Sequence, residues 1–165
     1  MDFQSIVIDN LISKFASIKS RMLLVIGQLT DDDINWRPNE ESNSIANLIV
    51  HIEGNINQRI EAGILGKQDQ RDREGEFDLN RKLKKWEAVE IVIRSFAVLE
   101  NTLKTLDKSH YLKPQKVRQN TVTILDVLMQ CSTHFSEHLG QILYIGKMKL
   151  DRKYITTSIP RGKSF

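Results

Sequence analysis

The chain has 165 residues, 40% of them hydrophobic and 27% charged, with 8 glycines and 3 prolines. That is the size and make-up of one soluble globular domain, and it excludes collagen-like, low-complexity and disordered classes. A net charge of +3 is too mild to argue for nucleic acid, and the single cysteine, Cys131, excludes an internal disulfide or a multi-cysteine zinc motif.

The first segment, about 3–29, carries Phe3, Ile6, Leu11, Phe15, Ile18, Met22, Leu23 and Ile26 at near-helical spacing. It predicts an amphipathic helix that stops near Gly27, before the polar run Thr30-Asp31-Asp32-Asp33. A second helix is predicted from Ser42 or Ser44, either of which can cap it, with a stripe of Ile45, Leu48, Ile49, Ile52, Ile56 and Ile60 closed by Gly63 and Gly66. Residues 67–85 are strongly charged and read as a long connection with at most a short helical turn. A third helix, about 86–107, uses Val89, Val92, Ile93, Phe96, Leu99, Leu103 and Leu106. After a basic loop around Pro114, a fourth helix starts at the capping-box-like pair Thr123 and Asp126 and runs to about Met148. The expectation is an all-α four-helix bundle over residues 1–150, with a long crossover between helices 2 and 3. Residues 151–165 form a tail, extended or disordered. No apolar run approaches the roughly 20 residues that cross a bilayer. The start MDFQSIVIDN lacks a leader pattern, so a cytoplasmic setting without membrane or nucleic-acid partners is expected.

Three of the four histidines, His51, His134 and His138, fall on predicted helices, while His110 sits in a loop. His134 and His138 are spaced i, i+4, about 40° apart around a helix axis, which is a chelating arrangement. They share an arc with Val127, Cys131, Ile142 and Ile145, so two imidazoles interrupt a core seam and need partners. A metal ion satisfies both at once; local backbone or water partners are the plainer reading. His51, on the second helix, is the candidate third ligand. Three histidines with one open position is the usual form of a catalytic zinc site, at which bound water deprotonates near neutral pH.

The run His134-Phe-Ser-Glu-His138-Leu-Gly140-Gln141-Ile142 resembles the fourth-helix signature of the DinB-like metalloprotein superfamily. Asn47-Leu-Ile-Val-His51-Ile-Glu-Gly54-Asn55 resembles its second-helix histidine segment. Arg71-Asp72-Arg73-Glu74-Gly75-Glu76-Phe77 resembles a subgroup of unassigned function. The resemblance spans nearly the whole chain. It implies a four-helix bundle, one divalent metal (zinc or nickel) on His51, His134 and His138, and often a homodimer. Relatives in that superfamily include hydrolases and transferases using a low-molecular-weight thiol of the bacillithiol or mycothiol type. Two function classes follow: a metal-dependent hydrolase or thiol transferase acting on a small molecule, or a non-enzymatic dimeric metal-binding stress-response protein.

Further residues are candidates around such a site. Glu137 could touch a metal-bound water or be a solvated surface acid. Asn55 and Gln141 could bond a ligand or cofactor, or be satisfied locally. Cys131 is a fourth ligand or, more simply, a small core residue. Arg71 and Arg73 could bind acidic groups of a substrate or thiol cofactor, or pin the crossover through salt bridges. Phe77 reads as an anchor for that segment, and Lys113, Lys116 and Arg118 as solvated loop charges. Gly140, inside a helix, implies close approach of another backbone.

Overall fold

A computed structural model describes residues 2–160 and 162. The chain is mostly helical: α1 (Phe3–Gln28), α2 (Asp31–Asn35), α3 (Ile45–Ile56), α4 (Arg73–Glu76), α5 (Lys85–Thr105) and α6 (Ile124–Leu150). Side chains that satisfy free backbone N–H groups set the helix starts. Ser44 and Asn47 cap α3 reciprocally, and Thr123 and Asp126 do the same for α6. Of the two starts the sequence offered for the second helix, Ser42 and Ser44, the structure uses Ser44, and the start predicted at Thr123 is the observed one.

α1 packs along α5 and α6, and α3 packs against the same two helices. The core between them holds Phe15, Ile18, Met22, Ile49, Phe96, Leu99 and Phe135. The Phe135 ring lies 6.1 Å from those of Phe15 and Phe96. Close approach occurs at Gly146, where a β-carbon would collide with Val25 of α1. The approach expected at Gly140 is absent, because that residue faces open space on the outer side of α6. Among the described residues, no helix is long and apolar enough to cross a membrane.

Two local features depart from the sequence expectation and bear on the site. α3 runs directly into a π-helical turn, Asn57–Ala62, so the chain stays helical past Ile60 with a wider turn. And the expected loop around Pro114 is an antiparallel hairpin, β1 (Pro114–Val117) with β2 (Asn120–Thr123), Val117 opposite Asn120. Four-residue polar strands are too short to show a period-2 pattern, which is why the sequence concealed them. Buried Gln115 of β1 donates to the Arg59 carbonyl at 3.0 Å, docking the hairpin on the π-turn.

The crossover between Ala62 and α5 carries the short α4. It is fastened by Asn47, whose amide donates to the carbonyls of Glu76 and Asp78, both at 3.0 Å. The tail leaves α6 through a 3-10 turn, Asp151–Lys153. It is then tied to α1 by Gln28, which donates to the Ile155 carbonyl at 3.0 Å and accepts from its N–H at 2.7 Å. Residues 161 and 163–165 of the predicted tail lie outside the described residues.

Candidate metal centre

α3 carries His51 and α6 carries His134 and His138. The packing of these helices brings the three imidazoles together, with ligand atoms within 4.8 Å of one another. His134 Nε2 lies 3.0 Å from His51 Nε2 and 3.1 Å from His138 Nε2. Zinc–nitrogen bonds of about 2.0–2.1 Å at tetrahedral angles put neighbouring ligand nitrogens about 3.3 Å apart, so the set is nearly at coordination spacing.

The hydrogen bonds on the far side of two rings assign their tautomers. His51 donates from Nδ1 to Glu76 Oε2 at 2.8 Å, and His138 donates from Nδ1 to Gln141 Oε1 at 3.0 Å. Both rings therefore present a lone pair at Nε2, toward His134. Lone pairs this close repel unless a proton or a cation lies between them. The residues thus fit a divalent ion, and three described histidines, with no other group, could hold it. Burial, together with the neighbouring His138, His51, Arg71 and Arg59, holds His134 down at about 4. Burial likewise lowers His51, against the opposing pull of its Glu76 hydrogen bond. Neutral imidazoles are the form a metal needs.

Behind His51 stands a buried ion pair. Arg71 donates from Nε to Glu76 Oε1 at 2.7 Å and from Nη2 to Oε2 at 2.8 Å, with the two side chains 7% and 3% exposed. Its Nη1 donates to Gln58 Oε1 at 2.9 Å. Gly54 makes room for this arrangement, since a β-carbon there would run into the Glu76 carboxylate. The Phe77 ring lies tilted against the His51 ring, centroids 4.9 Å apart, and the Arg73 guanidinium lies over Phe77 at 5.5 Å.

The histidines open on a cavity of about 510 Å³ lined also by Asn55, Arg59, Arg73, Arg118, Gln130 and Cys131. Asn55 donates to the His51 carbonyl at 3.0 Å, with its amide 3.2 Å from His51 Nε2. Gln141 is exposed and meets the site only through His138. Glu137 is exposed and shares a shallow surface depression with His134, outside the cavity. Cys131 lines the cavity but stands apart from the histidine group, and burial pushes its thiol up to about 12. Of the two roles the sequence left open for Arg71, the structure shows the salt bridge, made to Glu76; that Glu76 also bonds His51 had no sign in the sequence. Arg118 is exposed in the hairpin turn, in keeping with the expected solvated charge, and it also lines the cavity. Arg59 carried one usable signal, its place two helical turns after His51.

Residues 2–163 match the family described as "Protein of unknown function (DUF1572)", and the chain belongs to that family. No curated protein matches it in sequence. A crystallised conserved protein from Enterococcus faecalis has the same fold, with a TM-score of 0.70 at 15% identity over 90% of this chain and 97% of that one.

Proposed function

We propose that this member of the family is a divalent-metal-dependent enzyme of the DinB-like kind. In this reading α1, α3, α5 and α6 are the helices of a four-helix bundle, and the segment from Gly63 to Lys84 is its crossover. His51, His134 and His138 hold one zinc or nickel ion per chain. The observation that carries the reading is the convergence of three Nε2 atoms, two of them with Nδ1 tied to an acceptor, beside a cavity of about 510 Å³. A divalent ion held there supplies Lewis acidity, which lets a water or a thiol lose its proton near neutral pH. Glu76 fixes the His51 ring and raises its basicity, Gln141 orients His138, and Asn55 offers a hydrogen bond at the cavity floor. The reaction is hydrolysis of a small molecule or its transfer to a low-molecular-weight thiol.

Elemental mass spectrometry on untagged protein purified without chelator tests the site, beside His134→Ala and His51→Ala. About one metal per chain, lost in both variants, supports it and opens a screen of hydrolysis and thiol-transfer substrates. A parent that takes up neither zinc nor nickel on titration overturns it. A coordination sphere closed by a fourth protein ligand would favour the non-enzymatic alternative, and Cys131 stands outside the histidine group. The reading includes a cytoplasmic homodimer, whose mass light scattering measures.

A further inference from the structure

The charge around the cavity is one-sided. Arg59, Arg71, Arg73 and Arg118 line it, and no aspartate or glutamate does. Arg71 is spent on Glu76 and Gln58. Arg73 is exposed, with Phe77 beneath it and Glu74 at 3.5 Å. Among the described residues, Arg59 and Arg118 have no carboxylate within ion-pair distance, although Arg59 is half-buried. Holding the half-buried Arg59 guanidinium without a counter-charge costs free energy that an anionic ligand would recover, and exposed Arg118 adds a second positive group to the same wall.

The backbone at both positions is unusual. Arg59 sits in the π-turn, which advances less per residue than an α-turn and so keeps Arg59 on the face of His51 and Asn55. Arg118 has φ 55° at the first central position of a two-residue hairpin turn, and Gln119 after it does not share the positive φ. That is the pattern of a type II′ turn, whose first position normally takes glycine. An arginine there holds the backbone in a strained region. Arg118, exposed in this turn, lines the histidine cavity. Burial lowers the Arg59 guanidinium, and Arg118 and Arg71 add like-charge repulsion.

We propose that Arg59 and Arg118 form an anion-recognition site in the wall of the histidine cavity, and that the substrate is a small molecule bearing a carboxylate or phosphate group. The inference rests on the metal-centre reading for where the reacting end of that molecule lies; recognition of the anion belongs to the arginines alone. A guanidinium fork matches either anion bidentately.

The test is calorimetric titration of the full chain, chelator-treated and zinc-loaded, with succinate and with inorganic phosphate. The parent is compared with Arg59→Gln, Arg118→Gln and the exposed Arg152→Gln, and zinc uptake is titrated separately on each. The expected result is saturable binding of at least one anion by the chelator-treated parent and by Arg152→Gln. Arg59→Gln and Arg118→Gln should each bind at least tenfold more weakly, with zinc uptake unchanged. Which anion binds identifies the group. Arg59→Lys, which keeps the charge and loses the fork, should fall between, separating recognition from a folding defect. Absence of binding to the parent in both metal states, or parent-like affinity in both glutamine variants, overturns the proposal. Loss of zinc uptake with anion binding intact would remove the metal reading and leave this one standing.

Discussion

The carboxylate of Glu76 lies 2.8 Å from Nδ1 of His51, although 25 residues separate the two. This contact makes the crossover part of the histidine centre. The same carboxylate takes two hydrogen bonds from Arg71, so one acidic group aligns an imidazole and neutralises a buried cation. Glu76→Gln should lower zinc affinity by about 10–100-fold, the usual effect of losing a carboxylate behind a metal-binding histidine. It also strands the Arg71 charge, which should cost about 3–5 kcal/mol of stability in urea unfolding. Adding Arg71→Gln should recover stability without recovering affinity. Unchanged zinc affinity in Glu76→Gln would remove the carboxylate from the site.

Cys131→Ser should leave zinc stoichiometry at the parent value. The thiol lies outside the histidine group. Loss of the metal in this variant would make the sulfur a ligand.

Gly54→Ala adds a methyl group where the Glu76 carboxylate sits. The carboxylate must move, and α4 with it. We expect a loss of about 1–3 kcal/mol, the range for overpacking a tight site, together with weaker zinc binding. A thermal melt and a zinc titration read both effects.

The metal-free protein should lose stability in acid. His134 titrates at about 4 when folded, against an ordinary value near 6.5, and His51 is shifted in the same direction. Between those values the unfolded chain binds more protons. The contribution is therefore fully present above about pH 6.5 and lost as pH falls toward 4. The urea midpoint of the parent should drop more between pH 7.5 and pH 5 than that of His134→Ala. Equal drops would show that the ring is not held neutral by the fold.

Arg118→Gly should gain about 1 kcal/mol in thermal unfolding, since glycine accepts the positive φ that arginine resists. The same variant should bind the anion more weakly. A loss of stability would show that the turn is not strained.

The helical segments and the i, i+4 pair His134 and His138 were legible because both follow from helix geometry, which a periodic sequence displays residue by residue. Caps at Ser44 and Thr123 were legible for a related reason: each bond closes within three residues. The hairpin was not, because its strands are short and polar and its turn lacks the expected glycine.

Sequence alone therefore determined a mostly helical chain and which three histidines to watch. Only the tertiary structure decided what else surrounds them: Glu76 with its Arg71 behind His51, and Arg59 and Arg118 in the wall. The physical reason is range. Periodicity and capping are local, whereas a hydrogen bond or a shared cavity joins residues from separate segments and leaves no spacing in the sequence to read.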